Sequence, residues 1–216
     1  MKQLMLWSAK GRMGSLISET ALKSGEWKLA DKGEKADVII DFSAPAGTEE
    51  SVAFAQEHKI PIVIGTTGLN EEQKKEMGEA AKKIAIVFSP NMSVGVNVLF
   101  KLIEAAAKTL QEGYAVEINE THHTHKKDRP SGTAKMMGEI VEKIRHQKPP
   151  ITSFREGEVI GDHTIIFSNE SEHLALLHRA LDRKVFAQGA LRAAKWVLGK
   201  KAGLYNMSHV LGLKCE

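Results

Sequence analysis

Five short apolar runs alternate with helical patterns over the first ninety residues, and few folds accept that alternation. The runs are residues 4–7, 27–30, 37–41, 62–64 and 84–88, the third reading Asp-Val-Ile-Ile-Asp. Their residues are apolar at successive positions rather than at every second one, so each strand must be covered on both faces. Helical patterns at 13–23, 48–58 and 70–83 lie between them, the last opened by Asn70 as a cap. Strands buried on two faces and joined by helices make a parallel sheet with helices on both sides. The expected fold class is α/β, a Rossmann-like parallel-sheet domain.

From Val94 the pattern changes. Val94, Val98, Leu99, Leu102, Ile103, Ala106, Ala107 and Leu110 recur at spacings of three and four, which predicts one long amphipathic helix. Residues 115–121 alternate like a strand and 133–145 are helical. Residues 151–155 and 159–168 read as a strand pair joined near Gly157, with 173–179 continuing the sheet and 183–198 forming a last helix. This block is α+β. It predicts a second, smaller domain at 93–182, with 1–92 and 183–216 forming a discontinuous first domain.

Charge and composition narrow the partners. A formal charge of +3 over 216 residues, with the lysines spread along the chain, argues against a nucleic-acid partner. The chain has no run of 18 apolar residues, and its opening Met-Lys-Gln-Leu-Met-Leu-Trp-Ser lacks the apolar core of a signal peptide. No membrane association and a cytoplasmic location are expected. The single cysteine, Cys215, permits no internal disulfide and is an unpromising nucleophile.

Strand one runs into Ser8-Ala9-Lys10-Gly11-Arg12-Met13-Gly14, where a dinucleotide-binding fold places its phosphate turn. The spacing is Ser-x-x-Gly-x-x-Gly rather than Gly-x-Gly-x-x-Gly, so the loop alone is also compatible with a plain strand-to-helix turn. Asp31 falls about 20 residues past Gly11, where an acid holds the ribose hydroxyls. Lys10, Arg12 and Lys32 are placed to meet a 2′-phosphate, which leaves NADH and NADPH both open. Phe42-Ser43, Gly65-Thr66-Thr67-Gly68 and Ser89-Pro90-Asn91-Met92 follow strands three, four and five. Ligands of open α/β sheets bind outside those carboxyl ends. Turn chemistry with no ligand is the plainer reading of each loop.

Residues 120–134 carry the chemistry: Glu-Thr-His-His-Thr-His-Lys-Lys-Asp-Arg-Pro-Ser-Gly-Thr-Ala. Histidine titrates near neutrality and so suits proton transfer. Lysine supplies fixed charge for a carboxylate or a developing anion. Ser131, Gly132 and Thr133 open a helix whose first N–H groups suit an anionic oxygen. A metal held by His122, His123 and His125 is the plainer alternative. Adjacent residues of a strand face opposite ways, however, and no cysteine or further acid at ligand spacing completes a set. No metal is expected. His125 and Lys127 are expected to be exposed, Asp128 to brace the turn, and His163 to be a structural histidine of the sheet.

Together these segments resemble the dihydrodipicolinate reductase family. The resemblance rests on Gly11-Arg12-Met13-Gly14, Asp41-Phe42-Ser43, Gly65-Thr66-Thr67-Gly68, residues 91–97 and above all His122 through Ala134. It extends to Gly161-Asp162-His163-Thr164, residues 186–190 and Gly203-Leu204-Tyr205, so it covers nearly the whole chain. It implies reduction of a cyclic imine dicarboxylate by NADH or NADPH in lysine and diaminopimelate biosynthesis, by a homotetramer. It also implies dinucleotide binding for the first domain, and substrate binding and oligomerisation for the second. It implies His122 as general acid and Lys126 as its charged partner, with His123, Ser131, Gly132 and Thr133 gripping the substrate carboxylates. Cofactor contacts fall on Ser8, Lys10, Gly11, Arg12, Met13, Asp31, Phe42, Gly65, Thr66, Thr67, Ser89, Asn91 and Met92. Two departures stand out: Ser8 replaces the family's usual glycine, and the stretch from Asp31 to Asp37 is shorter than in many members. Two other readings are a different NAD(P)-linked dehydrogenase and a nucleotide-sensing regulator without catalysis. The latter would suit a DNA-reading helix or basic stripe, and neither is seen.

Overall fold

The computed structural model describes residues 1–110 and 112–213, in two compact units: Met1–Val94 with Lys184 onward, and Gly95–Arg183. Cys215 lies outside the described residues. In the first unit, β1 (Lys2–Leu6), β2 (Trp27–Ala30), β3 (Val38–Asp41), β4 (Ile62–Ile64), β5 (Ala85–Phe88) and β10 (Gly203–Tyr205) form one sheet. The strand order is β10-β5-β4-β3-β1-β2 and every pairing is parallel. β3 and β4 are buried at every residue, as the unbroken apolar runs require.

α1 (Arg12–Ser24) and α6 (Lys184–Val197) cover one face, where Ile17, Ala21, Ala190, Ala194 and Val197 meet Leu4, Val38 and Val63. α2 (Pro45–His58) and α3 (Glu71–Ala81) cover the other, burying Val52, Ala55, Met77 and Ala80 against Ile39 and Ile62. Helix ends follow local chemistry. Asn70 and Gln73 form a reciprocal capping box, a feature that contributes about 1 kcal/mol. Gly25 ends α1 at φ 68°, a conformation that costs a side chain but not glycine. Because all strands run one way, the loops after β1, β2, β3, β4 and β5 gather along one edge. The chain order reverses between β1 and β3, the switch point where such sheets bind ligands.

The second unit contains α4 (Val94–Thr109), β6 (Ala115–His122), α5 (Gly132–Arg145), β7 (Ile151–Arg155), β8 (Gly161–Ser168) and β9 (His173–Ala180). Its sheet has the order β7-β6-β8-β9. The expected β7–β8 pair is a misreading: β6 separates them, parallel to β7 and antiparallel to β8. Both strands gain a better partner in β6, which supplies the buried centre Ile118. Ile118, Ile165 and Phe167 pack under Leu99, Ile103, Met137 and Val141 of the two helices. Burying Ile165 and Phe167 stabilises the unit by about 1.5–3 kcal/mol each. Sequence reading also omitted β10 and the short α7 (Met207–Leu211), which closes the first unit.

Candidate active site

β6 has one buried stripe, Ile118, Glu120 and His122, because side chains two apart on a strand share a face. At the carboxyl end of that strand the stripe turns from apolar to ionisable. β8 does the same: Phe167 and Ile165 give way to His163, which sits opposite Glu120 in register. Glu120 is fully buried. Its carboxylate accepts from His122 Nδ1, from Arg155 Nη1 at 3.0 and 3.1 Å, and from the backbone N–H of Ser131 at 3.3 Å. Burial works to raise the Glu120 carboxyl, but hydrogen bonds from Ser153, His122 and Arg155 hold it below the usual carboxylate range. His122 is pushed down by burial, which outweighs the pull of Glu120, and Lys126 and Arg155 add to the downward push.

Lys126 and the helix start complete the cluster. Lys126 Nζ pairs with Asp128 at 2.8 Å, so the brace expected of Asp128 acts on the lysine itself. Burial opposes ionisation of Asp128, and the Lys126 ammonium more than offsets it. Arg155 ties this loop down, donating to the carbonyls of Lys126 and Asp128. Ser131 is the N-cap of α5; its Oγ accepts from Ala134 N at 3.3 Å and meets His163 Nε2 at 3.2 Å. Gly132 and Thr133 follow in the first turn, which carries no acidic side chain. His123 is half-buried, and its ring is pushed down by desolvation and by Arg183. His125 and Lys127 are exposed.

Sequence reading missed three members of the cluster. Glu120 stands inside the recognised string but had no role. Arg155 had no local signal at all. His163 reads in the sequence as a structural histidine, yet its ring lies 5.0 Å edge-on to His122 and bonds the Ser131 cap. Burial lowers His163 to about 3, so in the folded state it stays neutral far below its ordinary 6.5. A depressed histidine gives stability that is present above pH 6.5 and is lost as pH falls toward 3. His122 and His178 are shifted the same way by burial. The melting temperature is therefore expected to drop steadily below pH 6.5, and His163→Gln to flatten that decline in a calorimetric pH series. An unchanged slope in the variant would remove His163 as its source.

The cofactor loops belong to the first unit. Gly14, in the first turn of α1, lies hard against the turn after β1: a Cβ there would stand 1.9 Å from the Ser8 carbonyl oxygen. The Ser8 hydroxyl lies 3.1 Å from where Gly11 would carry its Cβ, so serine fills space that the usual glycine leaves open. Arg12 and Met13 open α1, again without a first-turn acid. Trp7, Ser8, Lys10, Asp31 and Lys32 line a pocket of about 580 Å³, with Lys32 Nζ 3.5 Å over the Trp7 ring. Asp31 is exposed at the end of β2. Phe42 packs its ring on Gly65, where any Cβ would collide at 2.3 Å. Asp41, another residue with no sequence-assigned role, is buried and fixes this loop by accepting from Ser43 N and Ser51 Oγ, both at 2.8 Å.

Thr66 is buried, and its Oγ1 has no hydrogen-bond partner among the described residues, whereas Thr67 is exposed. Ser89 Oγ donates to the Asn91 carbonyl at 2.8 Å, and Met92 is buried against Gly189. A glycine-cleared turn, an acid-free helix start and a buried hydroxyl awaiting a partner fit a dinucleotide. Among the described residues no three His, Cys, Asp or Glu side chains are grouped to hold a metal ion. No helix among them is long and apolar enough to cross a membrane.

Family models of the dihydrodipicolinate reductase N-terminus and C-terminus match residues 26–92 and 95–211. The 4-hydroxy-tetrahydrodipicolinate reductase of Nitrosomonas eutropha is 47% identical over 199 residues, covering 83% of this chain and 74% of its own. That of Thiobacillus denitrificans is 44% identical over 199 residues, with the same coverage of 83% and 74%. Among solved structures, dipicolinate-bound dihydrodipicolinate reductase from Paenisporosarcina sp. TG-14 superposes with a TM-score of 0.82 at 22% identity, covering 95% of this chain and 97% of its own. A probable dehydrogenase from Thermotoga maritima shares the fold at a TM-score of 0.63 and 10% identity, covering 97% and 92%.

Proposed function

The chain belongs to the dihydrodipicolinate reductase family, and from that membership we infer that it catalyses the 4-hydroxy-tetrahydrodipicolinate reductase reaction. It reduces a cyclic imine dicarboxylate in lysine and diaminopimelate biosynthesis. NADH or NADPH, when bound, supplies the hydride. The observation that carries the reading is the buried Glu120–His122 pair set beside the N-cap turn of α5. A buried histidine beside a helix start whose N–H groups suit an anionic oxygen supports pairing a proton donor with a carboxylate grip.

We assign the residues as follows. His122 delivers the proton, and Lys126 supports the electron-rich intermediate with its charge. Ser131, Gly132 and Thr133, with His123, hold the ring by its carboxylates, which fixes the reacting atom against the donor. Ser8, Lys10, Gly11, Arg12 and Met13 receive the pyrophosphate at the start of α1, and Asp31 takes the ribose. Thr66 and the loops at Phe42, Thr67, Ser89, Asn91 and Met92 line the rest. Residues 1–92 and 183–216 thus serve the cofactor, and 93–182 serve the substrate.

The second unit also supports a homotetramer. The face of its sheet away from α4 and α5 carries exposed Phe154 on edge strand β7, and exposed Leu177 on β9 near Ala175 of β9 and Ile166 of β8. Large apolar side chains exposed on a sheet face are costly to leave in water. We place the protein in the cytoplasm, with small molecules rather than nucleic acid as its partners; sedimentation should give a single species of four chains, and a monomer would overturn that assignment.

The test of function is oxidation of NADH, and separately of NADPH, by the purified protein. The substrate would be made in place from pyruvate and aspartate semialdehyde by the preceding synthase. Turnover dependent on that product supports the reductase. Tight cofactor binding without turnover supports the regulator reading instead.

A further inference from the structure

We propose that Glu120 is a positioning residue for this reaction: it holds His122 with Nδ1 protonated, leaves Nε2 to carry the transferred proton, and sustains the imidazolium, while Arg155 keeps the carboxylate ionised. This rests on the reductase reading above. An ionised carboxylate only accepts hydrogen bonds, so the contact between Glu120 and His122 Nδ1 fixes which nitrogen bears hydrogen. Nε2 then lies over Gly161, 3.0 Å from where a Cβ would stand, a clearance that any side chain there would close.

The carboxylate is held from three other directions, by Arg155 of β7, by the Ser131 N–H of α5 and by Ser153. The Glu120 and Arg155 side chains are 0% and 4% exposed, so their attraction is not diluted by water. One group therefore joins the proton donor, the carboxylate-gripping helix start and, through Arg155, the Lys126 loop. The proton balance is simple. The Nε2–H bond breaks as a bond from that hydrogen to the substrate forms, and imidazolium becomes neutral imidazole. Glu120 keeps its hydrogen bond to Nδ1 throughout, and water restores the proton to Nε2.

The ionisable groups around His122 are Glu120 on its own strand, Arg155 on β7, His163 on β8 with His178 beyond it on β9, and Lys126, paired with Asp128, on the following loop. Glu120 alone among the groups in contact with the ring opposes the positive ones. Its neutralisation must make His122 harder to protonate.

The experiment is Glu120→Gln, which keeps the shape and one acceptor but removes the charge. Its kcat at pH 7.5 should fall at least about tenfold, and the alkaline limb of its pH–rate profile should move down by about one pH unit or more. Activity should recover as pH is lowered, and the KM for reduced cofactor should stay near wild type. A role in folding alone would lower the rate equally at every pH, and that outcome, or a profile matching wild type, overturns the proposal. Nitrogen NMR of the wild-type histidines provides a readout free of turnover: His122 should be the Nδ1–H tautomer, and an Nε2–H tautomer overturns the relay. Absence of wild-type turnover would refute the reductase reading and leave the NMR result to decide this one.

Discussion

Replacing His122 with alanine is expected to lower kcat by about 10²–10⁴, the range that general acid catalysis contributes. The reason is positional as much as chemical. His122 ends β6, is 7% exposed, and bonds the same buried carboxylate that holds the cap residue of α5. Water admitted by the truncation would donate a proton from no fixed position, so the entropic advantage of a bound donor disappears with its basicity. Lys126→Ala should cost more than about tenfold, since the charge it removes acts on the intermediate rather than as the donor. Lys126 is paired with Asp128, so its loss also leaves that carboxylate without its cation. Binding of NADH and NADPH, followed by fluorescence, should be unchanged in both variants, because the loops assigned to it belong to the other unit. Wild-type kcat in either variant removes that residue from the mechanism.

The first unit was legible because its strands are buried on both faces and say so locally. The runs at 27–30 and 62–64 coincide with β2 and β4, and Asn70 caps α3 as its side chain predicts. What failed was pairing. Residues 151–155 and 159–168 look like a hairpin because they are neighbours in sequence, but each pairs with β6 instead. Which flank of β6 a strand takes depends on what it buries there, and the β7 stripe of Ile151, Ser153 and Arg155 carries no apolar alternation to read. β10 is three residues long at a sheet edge, too short for any period. The His-His string and the helix start after it were readable, since both are contiguous. Glu120 belongs to a Glu-x-His spacing that any strand turns into a same-face pair. Its counter-ion lies 35 residues away, where only strand register reveals it.

That counter-ion yields the largest expected stability effect. Arg155→Met should destabilise the protein by about 3–5 kcal/mol, because breaking a buried pair strands the remaining charge rather than merely deleting an attraction. Both side chains are almost wholly out of water, and Arg155 also holds the carbonyls of Lys126 and Asp128. With arginine gone, the buried Glu120 must either stay ionised without its strongest cation or take up a proton, and each course costs free energy. The second course has a signature. Glu120 would titrate higher than its present depressed range, so the stability lost in Arg155→Met should shrink as pH falls toward the point where the carboxyl is protonated in both folded and unfolded chains. Chemical denaturation at pH 7 and pH 4 reads this directly. Pairing Arg155→Met with Glu120→Leu removes the stranded charge and should restore most of the stability, since two apolar groups need no partner. Activity should not return with it. A double variant as unstable as the single one would show that Arg155 acts through the loop carbonyls it holds, and not through Glu120.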